Sequence, residues 1–114
     1  MQIRRFCLTL DLKNDPDLIL AYEKHHQQVW PEVLQSIQDS GIVNMEIYRW
    51  ENRLFMMMEV NEAFSFERKR EMDESNSKVQ EWEILMWKYQ QALPGCKPDE
   101  KWKIMDKIFE TKQE

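Results

Sequence analysis

Residues Gln2 to Leu12 alternate, placing Phe6, Leu8, Leu10 and Leu12 on one face and Cys7, Thr9 and Asp11 on the other. A two-residue period of this kind marks a half-buried strand. The period then changes to that of a helix. Asn14-Asp15-Pro16-Asp17 gives a turn and a helix start, with Asp15 as N-cap and Pro16 at the first helical position. Leu18, Tyr22, His25 and Val29 follow at helical spacing, with Ile19 and His26 alongside, and carry the helix to about Gln28. Trp30-Pro31 breaks it, because a residue before proline is pushed out of the helical region. Pro31 opens a second short helix with Val33, Leu34 and Ile37 inward, and Gly41 stops it as a left-handed C-cap.

The strand period returns in Val43 to Trp50 and Arg53 to Val60, joined tightly through Glu51-Asn52 as a hairpin. A helical stretch from about Phe64 to Glu74 comes next, then a polar break at Ser75-Asn76-Ser77. A longer helix is expected over Lys78 to Ala92, with Val79, Trp82, Leu85, Met86 and Tyr89 on one face, until Leu93-Pro94-Gly95 ends it. Trp102, Ile104, Asp106 and Ile108 alternate with Met105 and Phe109 in a last expected strand. The order β, α(α), β, β, α(α), β is that of the ferredoxin-like βαββαβ unit, an α+β fold with helices on one face of an antiparallel sheet. Its other face must line a pocket or a subunit interface. No linker or low-complexity tract divides the chain, so residues 1–114 are read as one domain.

Composition removes several function classes. The 21 acidic residues outnumber the 16 basic ones, and Arg68-Lys69-Arg70 is flanked by Glu67 and Glu71. Nucleic-acid binding is therefore not expected, since it rests on concentrated cationic surface. Cys7 and Cys96 are too few and too far apart for a disulfide scaffold or a zinc site. The chain has no apolar run of membrane-spanning length and its first residues lack the apolar core of a signal peptide, so a soluble cytoplasmic protein is expected. Five Trp, five Phe and eight Met are many large apolar side chains for 114 residues, and some are expected at a subunit interface. With Gly41 and Gly95 as the only glycines, no glycine-rich phosphate loop or nucleophile elbow exists. His25 and His26 are adjacent and diverge on a helix, so they do not chelate a metal together.

Tyr22 and His26 remain, four residues apart on one helical face. A phenol beside an imidazole can both donate and accept protons near neutrality. On spacing alone helix-to-sheet packing is the commoner reading of such a pair. Trp82 and Trp87 on the later helix suit stacking on a sugar's C–H surface, and also an ordinary core. Asn44 and Tyr48 share a strand face with Glu46 and fit either a pocket wall or the solvent side of the hairpin.

The residues also carry a resemblance. Tyr22-x-x-x-His26-x-x-x-Trp30-Pro31-Glu32, Gly41-x-x-Asn44-x-x-Ile47-Tyr48, Leu54-Phe55-Met56-Met57-Met58-Glu59 and Val79-Gln80-Glu81-Trp82 with Met86, followed by Ile108-Phe109, resemble the L-rhamnose mutarotase family over nearly the whole length. The resemblance implies a dimeric α+β barrel, a homodimer, and interconversion of the α and β anomers of a 6-deoxy-L-sugar without cofactor or metal. It implies that Tyr22 and His26 act at the site, with His26 as proton donor to the ring oxygen and Tyr22 orienting or relaying the anomeric proton. On that basis Trp82 is expected to stack on the sugar and Asn44 or Tyr48 to bind its hydroxyls, with Trp30 in the matching Tyr/His/Trp-Pro-Glu block.

Two positions depart from the family pattern: Met45 replaces an aromatic residue after Asn44, and Glu83 replaces the second Trp of a pair, leaving Trp87 as an alternative occupant. These departures bear on the identity of the sugar, L-rhamnose or L-fucose, more than on the reaction. Two other readings share the architecture: a cofactor-independent oxygenase or haem-degrading enzyme, and a non-catalytic sugar-binding module.

Overall fold

The computed structural model describes residues 2–112. Strand β1, Arg4–Leu12, leads into helices α1, Pro16–His26, and α2, Pro31–Asp39. Strands β2, Ile42–Trp50, and β3, Arg53–Val60, form the hairpin. Helices α3, Phe66–Glu74, and α4, Ser77–Trp87, precede two short strands, β4 at Gln90–Gln91 and β5 at Lys103–Ile104. The sheet order is β2-β3-β1-β4, with β5 also paired to β1, and every pairing is antiparallel. This is the expected ferredoxin-like α+β topology. No helix among the described residues is long and apolar enough to cross a membrane.

Register explains the core. Phe6, Leu8 and Leu10 pair with Met58, Met56 and Leu54, so the even-numbered face of β1 and of β3 points the same way. Leu10, Leu12 and Val60 are fully enclosed beneath the helices, and Leu54 nearly so. The opposite face carries Arg5, Thr9, Asp11 and Glu59, where Arg53 pairs with the buried Asp11 at 2.7 Å. Gly41, at φ +102, is the one residue that fits between Asn61 and Phe64: a Cβ there would meet Asn61 Oδ1 at 2.6 Å.

Strand β1 starts two residues later and α1 ends two residues earlier than the sequence reading, and three further boundaries differ for identifiable reasons. Phe64 precedes α3 rather than opening it, and instead fills the core beside Phe6 and Phe66. Helix α4 stops at Trp87, five residues before Ala92. Its last turn tightens as Lys88 N–H and Tyr89 N–H donate to Leu85 and Met86 carbonyls, and Lys13 N–H then captures the Tyr89 carbonyl at 2.8 Å. The chain is thereby drawn onto β1, where Gln90 pairs with Leu12. The last strand covers only Lys103–Ile104 instead of reaching Phe109. Alternation favours extended backbone, but pairing makes a strand; beyond Met105, which donates to the Cys7 carbonyl, the chain leaves β1 with Ile108 94% exposed.

Candidate active site

Helix α1 is set at its start by Asp15, whose carboxylate accepts from the backbone N–H groups of Asp17 and Leu18 at 2.9 and 3.3 Å, and by Pro16. Tyr22 is the residue of α1 that is buried, and it projects onto the sheet. His26 lies one turn later, with its ring centroid 4.4 Å from that of Tyr22. Helix α4, capped by the Asn76 side chain, presents Val79, Trp82 and Met86 to the same region. The Trp82 ring meets His26 edge-on at 5.6 Å and Trp30 at 5.2 Å.

Tyr22, His26, Trp82 and Met86 line a cleft of about 530 Å³ between the helices and the sheet. That size suits a small organic ligand. Its wall is mostly apolar, with Met45, Met56, Met86 and Trp102, and its polar groups include Tyr22, His26, Asn44 and Gln90. A neighbouring cleft of about 650 Å³ shares Met45, Met56, Trp82 and Trp102 with it and is bordered by Glu83, Lys101 and Asp73. Trp102 and Lys101 arrive from the segment before β5, far from α1 in sequence.

The protonation pattern follows from geometry. The Nδ1 of His26 lies 2.9 Å from the Tyr22 backbone carbonyl, which only accepts, so Nδ1 carries the hydrogen. In the neutral ring, Nε2 then holds the lone pair. Burial pulls the His26 pKa below its ordinary 6.5, and positive charge on neighbouring His25 acts in the same direction; the Tyr22 carbonyl opposes them. The Tyr22 phenol is pushed up to about 12 by burial, against a donor hydrogen bond from Gln90 Nε2 at 3.4 Å. At neutral pH the two side chains are an uncharged acid and an uncharged base.

The other expected site residues separate. Met45 lines both clefts. A bulge between Ile42 and Asn44 turns the Asn44 side chain to the open face, where it donates to Glu59 at 3.4 Å, although Asn44 still borders the cleft. Tyr48 donates to Glu46 at 2.8 Å on that open face and borders a smaller cleft of about 210 Å³ that also touches Tyr22 and His26. Glu83 accepts from Gln80 at 3.1 Å and faces Lys101 at 3.7 Å. Trp30 stands behind Trp82, outside the lining of these clefts. Trp87 lies under Lys101 at 5.6 Å and also lines none of the three.

Sequence reasoning missed Gln90 and Met56 as lining residues, and left Trp102 to the core or an interface although it lines the cleft. For Gln90 a signal exists: Val79, Trp82 and Met86 form the buried stripe of α4, and Gln90 continues it with a carboxamide. Among the described residues, no group of three or more His, Cys, Asp or Glu is arranged to hold a metal ion.

Comparison with known proteins gives this geometry a lineage. The profile of the L-rhamnose mutarotase family matches residues 5–111. An L-fucose mutarotase of Xanthomonas campestris is 44% identical over 111 residues, covering 96% of this chain and 89% of that protein. Two solved structures share the fold. One is an L-rhamnose mutarotase from Formosa agariphila, with a TM-score of 0.70 at 22% identity over 96% of this chain and 99% of that one. The other is a dimeric ferredoxin-like protein from an uncultured marine organism, with a TM-score of 0.53 at 14% identity over 95% and 91% of the two chains. With its profile matched almost end to end, the chain belongs to the L-rhamnose mutarotase family.

Proposed function

We propose that the protein interconverts the α and β anomers of a 6-deoxy-L-hexose, with L-fucose favoured over L-rhamnose, through Tyr22 and His26. The observation that carries this reading is the juxtaposition of a neutral phenol and a neutral imidazole, 4.4 Å apart, on the wall of a sugar-sized cleft in a mutarotase-family chain. L-fucose is preferred because the relative at 44% identity is named for it, and because Met45 and Glu83 depart from the rhamnose pattern.

The Nδ1 contact supports roles opposite to those the resemblance implies. His26 Nε2 takes the proton of the anomeric hydroxyl, and the C1–O1 bond becomes a carbonyl. The ring C1–O5 bond breaks with its electron pair on O5, which takes the Tyr22 phenolic proton. Rotation about C1–C2 presents the other carbonyl face. On closure, the tyrosinate recovers its proton from the O5 hydroxyl as O5 attacks C1, and the imidazolium returns its proton to O1. Both residues end as they began, and neither electrons nor atoms enter or leave. Trp82 shapes the apolar side of the cleft, where the sugar's C–H face and methyl group fit.

The homodimer belongs to the same proposal. Tyr48, Trp50 and Phe55 stand exposed on the open sheet face, and Phe109 beyond it is 70% exposed, more apolar surface than an isolated subunit usually leaves in water. A structural relative is described as dimeric. The family match favours sugar chemistry over the oxygenase or haem-degrading reading.

The test is anomer exchange measured by saturation-transfer NMR on L-fucose, L-rhamnose and ordinary aldoses. Faster exchange for L-fucose than for the others is expected. Absence of acceleration with any 6-deoxy sugar would refute the proposal, and sugar binding without acceleration would leave a binding module instead.

A further inference from the structure

We infer that Gln90 is a positioning residue for anomer exchange, one whose carboxamide fixes the phenolic proton of Tyr22 toward the bound sugar. The inference rests on the proposed mutarotase reading and extends it to a residue outside the Tyr22/His26 pair.

Gln90 occupies a place built to hold it still. It is one of the two residues of β4, its backbone is paired with Leu12 on β1, and the preceding carbonyl of Tyr89 accepts from Lys13. The residue is 7% exposed, among Tyr22, Trp82 and Met86 on the wall of the cleft. A carboxamide is costly to bury without partners, and in this wall the Nε2 donates to Tyr22 Oη at 3.4 Å. Packing alone would be served better there by leucine or methionine.

The geometry of a phenol gives this contact its consequence. Conjugation holds the O–H close to the ring plane, with two orientations available. An N–H donor on one side of Oη occupies a lone pair and disfavours the orientation that would aim the proton at it. The proton is left on the other side, free for an acceptor in the cleft. Gln90 thereby selects one of two rotor positions before the sugar arrives, which is preorganisation of an acid. The neighbouring Tyr89 ring stands 6.4 Å from Tyr22, and the Tyr89 hydroxyl is engaged with His25 Nε2 at 3.1 Å.

The experiment compares the wild-type protein with Gln90→Met and Gln90→Glu in the NMR exchange assay, using L-fucose as the probe sugar. Thermal melts check that each variant is folded. Gln90→Met keeps the volume and removes both polar atoms; kcat is expected to fall about tenfold, with KM changed by less than about threefold. Gln90→Glu places an acceptor where the donor was and draws the Tyr22 proton away from the sugar. It is expected to fall below Gln90→Met at neutral pH and to recover relative to it as the carboxylate protonates. The Tyr22 ring resonance of protein made with isotopically labelled tyrosine is expected to shift in Gln90→Met without sugar.

A folded Gln90→Met with wild-type kcat, a loss confined to KM, or an unmoved Tyr22 resonance overturns the inference. So does a Gln90→Glu variant as active as wild type. A wild-type protein inactive on every sugar overturns the mutarotase reading and this inference together, whereas an active wild type matched by Gln90→Met overturns this inference alone.

Discussion

Tyr22→Phe separates the chemical role of the phenol from its place in the core. The substitution keeps the ring, which is buried between α1 and the sheet and packed against His26, and deletes only Oη. The hydroxyl makes one neutral hydrogen bond, with Gln90 at 3.4 Å. Such a bond contributes about 0.5–1.5 kcal/mol net, and this long one belongs near the lower end. Water can enter the cleft and serve Gln90 in the variant, so the stability cost is about 1 kcal/mol or less. At ~2.1 cal/mol/K per residue, unfolding this chain carries an entropy of about 0.24 kcal/mol/K, so Tm should fall by roughly 4 °C at most.

The kinetic consequence is far larger. A positioned acid contributes about 10²–10⁴-fold, and Phe cannot replace the proton that O5 receives. Saturation-transfer NMR at matched enzyme concentration should therefore show kcat for L-fucose exchange at least ~100-fold below wild type, equivalent to about 3 kcal/mol in the barrier. A drop of a few degrees in Tm beside a hundredfold loss in rate is the signature of a chemical role. Exchange within about threefold of wild type would refute the assignment of Tyr22 as acid.

Other outcomes follow from the same geometry. The rate should fall on the acid side with a midpoint below pH 6.5, because His26 must be neutral to act and its pKa is depressed by burial; a midpoint above 6.5 would contradict this. The same depression makes His26 a stabilising group above pH 6.5 whose contribution is lost as pH falls through its folded value, measurable by denaturant melts across that range. Tyr22 acts at the other end: an unfolded phenol ionises near 10 while the folded one holds its proton to about 12, so stability should decline as pH rises between those values, and decline less in Tyr22→Phe. Trp82→Phe should raise KM for L-fucose with a smaller change in kcat, since it trims the cleft wall and leaves an aromatic ring against His26 while removing neither proton-transfer group. Gly41→Ala should lower stability by about 2 kcal/mol or more by melting, since it forces a Cβ against Asn61 and the Phe64 backbone at a positive φ.

The fold was legible wherever one local rule acted without competition. The alternation of β1, the Asp15-Pro16 start of α1, the Trp30-Pro31 break and Gly41 each mark a boundary, and the structure places them within one or two residues. The end of α4 was not legible, because Tyr89, Gln90 and Gln91 suit a helix and only backbone pairing with distant β1, together with the bond from Lys13 to Tyr89, draws them out of it. Ile108 and Phe109 carry the pattern of a strand but have no partner within the described chain. At the site, Tyr22, His26 and Trp82 could be grouped because helical spacing and the family block bring them together. Gln90 continues the Val79-Trp82-Met86 stripe of α4, but its backbone, like the segment that carries Trp102, is set beside the cleft by tertiary pairing of short strands with β1. Asn44 shows the reverse case, since a single bulged residue turns its side chain toward Glu59.

The central claim is that His26 moves the anomeric proton, and His26→Gln tests it most directly. Gln preserves a polar side chain on α1 but has no nitrogen lone pair near neutrality to act as a base. Exchange of L-fucose anomers by saturation-transfer NMR at pH 7 should drop at least ~100-fold from a clearly accelerated wild-type rate. A folded His26→Gln protein that exchanges anomers as fast as wild type would contradict the account.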